Sequence, residues 1–197
     1  MPKAIELSVS RRDQILNAAI RTFGRFGFRK TSVEDLAAAA GLSKQGLYLH
    51  FSGKDEIFVA AILKYLDDGL ALAEHELSKV DVPIFERLVA AMDAWFGRHL
   101  ATFNADSFDL IEASNRLSFD RIENYKTAFR AKLAKAMANS KEFARTENVC
   151  SPKEVAQVLF QFGLTWKDGY PPRGEFRKRI ALCVRATCQV GAAKKDQ

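Results

Sequence analysis

The sequence predicts an all-α fold: an N-terminal three-helix domain with a helix-turn-helix, residues 1–58, and a larger C-terminal helical domain, residues 59–197. Three observations predict it. Apolar residues recur at three- and four-residue steps along nearly the whole chain, the period of helices with one buried face. The alternation expected of a strand is absent from every long segment. Five prolines and eleven glycines in 197 residues leave room for long helices.

The first helix is expected from Arg11 to Phe26, with Ile15, Ala19, Phe23 and Phe26 on one face and Gly27 as its stop. After a short basic link, Phe28-Arg29-Lys30, a second helix begins at Thr31 or Ser32. Ser32 with Asp35, or Thr31 with Glu34, has capping-box spacing. Gly41 ends that helix, and Ser43 caps a third, Lys44 to about His50. Ser52 and Gly53 break the chain again, and a long helix follows from Asp55 to about Leu77 with two acids in its first turn.

Further on, Pro83 suits a first helical position. The helix behind it, Ile84 to about Phe103, is apolar around much of its circumference. Two helices are expected near Phe108–Leu117 and Phe119–Ala138, the second carrying Ile122, Tyr125, Phe129, Leu133 and Met137. Residues 139–150 are polar and read as a loop or frayed turn. Ser151-Pro152-Lys153-Glu154 is a strong helix start. The helix behind it presents Val155, Val158, Leu159, Phe162 and Trp166, and after a Gly/Pro break a last helix presents Phe176, Ile180, Cys183, Val184 and Thr187.

Charge adds a direction. The net charge is +6, and residues 1–54 hold nine basic side chains against four acidic ones, so the excess lies at the N-terminal end. That distribution favours an anionic partner for the small domain. No run of apolar residues is long enough to span a membrane, and Met1–Arg12 lacks the apolar core of a secretory signal. Three scattered cysteines, Cys150, Cys183 and Cys188, fit a reducing, cytoplasmic setting better than a disulfide framework. No Cys/His cluster has metal-ligand spacing, and no cofactor or catalytic set is expected. An enzyme using Cys183 with His99 or His75 is disfavoured because nothing brings them together and Cys183 lies on an apolar stripe. A redox role for Cys183 and Cys188 stays open.

The segment from Thr31 to Lys54 carries the chemistry. A glycine turn holds two short capped helices at a steep angle, with Leu36, Leu42 and Leu47 between them, so the second can project from the surface. Lys44 and Gln45 stand at its start; Gln pairs bidentately with adenine in the major groove, and Lys reaches guanine or phosphate. Gly46 permits close backbone approach. Tyr48 and His50 can reach phosphates, and Thr31, Ser32 and Ser43 offer hydroxyls and helix starts. Lys54 is expected as a phosphate anchor. The duller reading of the hydroxyls is as helix caps, and of Tyr48 as packing.

Ile15 to Ile62 resembles the DNA-binding module of the TetR family of bacterial regulators. The resemblance rests on Phe23, Gly27, Thr31-Ser32-Val33, Leu36-Ala37, Gly41, Ser43, Leu47-Tyr48, His50-Phe51, Lys54 and Ile57. Leu49 departs from the pattern, standing where the family commonly has a second aromatic residue. The resemblance implies a homodimeric, sequence-specific transcriptional regulator, found in the bacterial cytoplasm and on the nucleoid through DNA. The commoner behaviour it implies is a repressor released from a pseudo-palindromic double-stranded operator by a small, mainly apolar or aromatic effector, with activation as the alternative. The effector pocket is then expected among Trp95, Phe96, His99, Phe103, Phe108, Ile111, Tyr125, Phe129 and Trp166. The dimer interface is expected on the last two helices, at Val155, Leu159, Phe162, Phe176, Ile180 and Val184. Ordinary core packing is the alternative for both sets. A sequence-neutral architectural protein is the rival reading for the DNA-binding end.

Overall fold

Ten α-helices and a π-helical segment make up the described residues of the computed structural model: 10–103, 108–145, 150–167, 169 and 171–188. They are α1 (Arg11–Phe26), α2 (Val33–Ala39), α3 (Lys44–Tyr48), α4 (Lys54–Ser78), α5 (Ile84–Met92), α6 (Arg98–Thr102), α7 (Phe108–Ala138), α8 (Lys141–Ala144), α9 (Pro152–Lys167) and α10 (Arg173–Cys188). Asp93–Gly97, between α5 and α6, is the π-helical segment. Contacts divide the chain into two units, Met1–Tyr65 with Asp106–Phe119, and Leu66–Ala105 with Asp120–Gln197. The border thus falls after Tyr65, beyond the residue 58 expected from the sequence. A distant segment, at the start of α7, also joins the first unit.

In the first unit α1 packs on α2, and α2 on α3. Ser10 caps α1 by accepting the Asp13 N–H at 3.0 Å. Gly27 ends it at φ 81°, a left-handed conformation that glycine adopts without strain. Ile15, Ala19 and Phe23 are buried as their spacing predicts, whereas Phe26 is exposed, with the Arg25 guanidinium 5.0 Å from its ring. The core centres on Phe23, Phe28 and Phe58. Phe58 meets the other two rings edge-on, with centroids 5.1 and 4.9 Å away.

In the second unit α10 packs on α9, α5 and the π-helical segment. Asp93 of that segment is buried and receives a fork from Arg173, Nε to Oδ1 at 3.0 Å and Nη2 to Oδ2 at 2.9 Å. A buried carboxylate requires such a partner. Trp95 stacks on Phe129, centroids 4.8 Å apart, and Phe96 packs against both Phe129 and Phe160. Phe129, Leu133 and Met137 of α7 are fully buried, as expected. Within α7 Ser118 leaves helical geometry (φ −154°, ψ 25°), so two helices meet at a kink there, at the boundary expected from the sequence.

The segment after Ala138, expected as a loop or frayed turn, holds one helical turn, α8. Ser140 caps it, accepting the Phe143 N–H at 3.3 Å, and buried Phe143 anchors it. Glu142 of α8 in turn accepts the Ile84 N–H at 2.7 Å, capping α5, whose preceding Pro83 offers no side-chain acceptor. The Ser151–Glu154 box forms as read, with Glu154 accepting both the Ser151 N–H (2.8 Å) and hydroxyl (2.7 Å).

Candidate nucleic-acid interface

The helix-turn-helix is built from the short polar side chains at its breaks. Ser32 accepts the Asp35 N–H at 3.1 Å while Asp35 accepts the Ser32 N–H at 2.8 Å, a complete capping box at the start of α2. The hydrogen bonds from Ser32 hold the Asp35 carboxyl below its ordinary range. The Thr31–Glu34 alternative does not form. Gly41, at φ 65°, makes the turn that an L side chain would strain. Ser43 then accepts the Gly46 N–H at 3.0 Å and starts α3. Leu36 and Leu47 are buried and Leu42 is half-buried, the small core expected between the two helices.

What α3 turns outward follows from what it turns in. With Leu47 fully buried, Lys44, Gln45, Tyr48 and the adjoining Leu49 are exposed, the last at 86%. Ser32 and Ser43 are exposed at the two helix starts, and His50 and Gly46 are half-buried. Gly46 faces its own first turn: a Cβ there would lie 3.3 Å from Ser43 Oγ and 3.5 Å from Leu42. Lys44 reaches back to Glu34 at 2.5 Å. That hydrogen bond lowers the Glu34 carboxyl and raises the Lys44 ammonium relative to their ordinary ranges. Both groups are well exposed, and such a pair is weak and salt-screened, so a phosphate can replace the carboxylate.

Two expected contacts are corrected. Thr31 is 1% exposed, and its hydroxyl donates to the Gly27 carbonyl at 2.6 Å, so it braces the link between α1 and α2 from inside. Lys54 donates to the Phe28 and Thr31 carbonyls, both at 3.1 Å, and its ammonium lies 4.5 Å from the centre of the Phe28 ring. Two of its three donors are occupied, so Lys54 secures the same link and has a single donor left over.

Four residues matter that the sequence reading missed. Arg11 donates to the Ala40 carbonyl at 3.1 Å, closing the C-terminal end of α2. Arg12 donates to the His50 carbonyl at 3.0 Å, lies 4.2 Å from the centre of the Phe51 ring, and pairs with Glu56 at 3.8 Å. The first turn of α1 thereby grips both ends of the reading motif. Asp109, at the start of α7, accepts the Arg29 N–H at 2.7 Å, and Glu112 pairs with the Arg29 side chain at 2.6 Å. No local spacing links these residues. The only signal was a cluster of N-terminal arginines, which reads as surface charge.

The second unit places the remaining candidates differently. Trp95, Phe96 and Phe129 are buried against one another, so their surfaces serve packing. His99, Phe103, Tyr125 and Trp166 are half-buried. Burial, then the charges of Lys167 and Arg98, push the His99 imidazole down to about 3, so it is neutral. Its Nδ1 lies 3.1 Å from the Trp95 carbonyl. The Tyr125 hydroxyl donates to Asp67 at 2.6 Å, and burial with this bond pushes the phenol up to about 12. Ile111 is exposed and belongs to the first unit, unlike these candidates. The side chain of Phe108 lies outside what the structure describes.

The interface candidates need a similar correction. Val155, Leu159, Phe176, Ile180 and Val184 are each at most 1% exposed within the single chain, so they form its own core; Phe162 is half-buried beside Trp166. The apolar side chains that α9 and α10 leave outside are Val158 (40%) and Leu182 (65%). Burial raises the thiols of Cys183 and Cys188 above their ordinary range, which makes them poor nucleophiles. Among the described residues, no group of His, Cys, Asp and Glu gathers to hold a metal, and no helix is long and apolar enough to cross a membrane.

Comparison with known proteins agrees with this geometry. Residues 15–61 match the family described as bacterial regulatory proteins, tetR family. The HTH-type transcriptional regulator RutR of Escherichia coli K12 is 39% identical over 62 residues, 32% of this chain and 29% of that protein. The chain thus matches less than a third of that relative's length. Over the whole fold, the reduced form of Escherichia coli NemR superposes with a TM-score of 0.73 at 17% identity, covering 93% of this chain and all of that one. The TetR family transcriptional regulator PfmR of Thermus thermophilus gives 0.66 at 23% identity, covering 88% and 98%. The sequence match lies on the helix-turn-helix, residues 15–61, which is similar to the tetR family of bacterial regulatory proteins, and the structural match extends across the C-terminal helices as a likeness of fold.

Proposed function

We propose that the chain is a sequence-specific DNA-binding transcriptional regulator that reads its operator with α3. The observation that carries this is the outward row Lys44, Gln45, Tyr48 and Leu49 on a helix anchored from behind by Leu47. Gln45 is the base reader and Lys44 a guanine or phosphate contact once it leaves Glu34. Ser32, Ser43, Tyr48 and His50 position the backbone, and the half-buried Gly46 keeps the turn of α3 beside them low. Leu49 offers an apolar surface to a thymine methyl.

The protein acts as a homodimer on a pseudo-palindromic site, with two copies of α3 in successive major grooves. It is a repressor, released when a mainly apolar or aromatic small molecule binds the second unit near half-buried His99, Phe103 and Trp166. α4, which supplies residues to both units, carries the change. Ligand shifts the balance only if it binds one state better than the other.

Selection of bound duplexes from a random pool tests this reading. The expected result is a two-fold symmetric consensus whose half-sites lie about one helical turn apart. An unenriched pool, with binding that depends on salt but not on sequence, would instead indicate an architectural protein.

A further inference from the structure

Between the second half of α7 and the start of α9 lies an open groove of about 610 Å³, within the usual range for small-molecule sites. Ala131, Ala134, Ala138 and Pro152 give it an apolar floor, and Arg130, Lys135 and Lys153 stand around it; no carboxylate is among its lining residues. The charges nearby are arranged differently. On the same helix Lys126 pairs with Glu123 and Lys132 with Glu74, each at 2.6 Å. At the groove's edge the Glu154 carboxylate is held by the lining residue Ser151, accepting its N–H and hydroxyl.

Arg130 is already fixed. It donates to Gln157 at 3.1 Å and to Thr127 at 3.0 Å, and its guanidinium lies 5.1 Å from the centre of the Phe160 ring. These three partners are neutral, so they brace its charge without neutralising it. A cation held in place loses little freedom when an anion arrives. Lys135 and Lys153 are long and can close over a bound head group while their stems cover apolar surface.

We propose that this groove binds a small organic anion, an apolar body carrying one acidic head group. The body lies on the alanine and proline floor and the head meets Arg130, with Lys135 and Lys153 above it. The site is separate from the effector contacts assigned to His99, Phe103 and Trp166, and it stands whether or not the chain binds DNA.

The full-length protein can be titrated calorimetrically with decanoate, decanol and acetate, each below its aggregation limit. Decanoate is expected to bind about tenfold tighter than decanol, the difference between a charge-assisted and a neutral hydrogen bond. Acetate, which lacks the apolar body, should give no binding in the same range. The double variant Lys135→Gln/Lys153→Gln should weaken decanoate and leave decanol unchanged. Both lysines are exposed, and an unaltered melting temperature confirms that the variant is folded. In the wild type, decanoate should shift the NMR signals of Ala131, Ala134 and Ala138. Equal affinity for decanoate and decanol, shifts confined to other residues, or no binding would overturn the proposal. So would a change in self-association as the sole effect of the double variant, which would make the groove a contact between copies.

Discussion

At the residue scale, the DNA-reading face separates side chains by how many of their hydrogen-bonding groups are still available. Gln45 is exposed with its amide free for a base edge, so Gln45→Ala should cost about 1–3 kcal/mol of discrimination at one base position. A binding series over all four bases at each position checks this, and an unchanged preference would remove Gln45 as the reader. Lys54 behaves oppositely. Its ammonium is bonded to two main-chain carbonyls, so Lys54→Ala should lower the melting temperature, by the equivalent of about 1–3 kcal/mol. The slope of log affinity against log salt should stay the same. A slope lower by about one would return Lys54 to the phosphate contacts. Residue type alone could not separate these roles, because a lysine beside a helix start serves a carbonyl or a phosphate equally well.

At the element scale, the least expected feature is a glycine inside a long helix. Gly163 lies inside α9, one turn from its C-terminal end, in a position where glycine is about 1 kcal/mol poorer than alanine. Its place is explained by Phe96 of the π-helical segment: a Cβ on Gly163 would come within 2.3 Å of that ring. Gly163→Ala should therefore destabilise the protein by about 1–3 kcal/mol through overpacking, despite its gain in helix propensity. Denaturant unfolding measures the sign, and stabilisation would show that Phe96 can move aside. Helix starts were legible because caps are local: Ser10, Ser32, Ser43 and Ser151 each bond a group three residues on. The α5 start was only partly legible, since Glu142 caps it from 58 residues away. α8 is four residues long, too short to show a period.

At the scale of the whole molecule, acidity and association give two tests. His99 titrates near 3 in the folded chain and near 6.5 when unfolded. Between these values only the unfolded chain takes up this proton, so stability falls as pH drops below about 6.5 and continues falling toward 3. His99→Gln should flatten the dependence of melting temperature on pH between about 6.5 and 4. A profile parallel to wild type would mean that His99 protonates in the folded state. For association, Leu182 is the most exposed apolar side chain of α10. Leu182→Glu should shift a dimer toward monomer in sedimentation without unfolding it. An unchanged association state would place the interface on another face.

The long helices, most of their breaks and the reading motif were written in the order of residues, because period, capping and glycine turns act over three or four positions. The resemblance to the tetR family was legible there too, through a motif confined to residues 15–61. Which of several chemically equivalent side chains remain available was settled by packing between distant segments. Thr31 and Lys54 turn to main-chain carbonyls, the stripes on α9 and α10 face their own core, and Arg11 and Arg12 grip the two ends of the reading motif. Amphipathic spacing identifies a buried face but not what buries it, since a partner chain and the chain's own core remove the same apolar area from water.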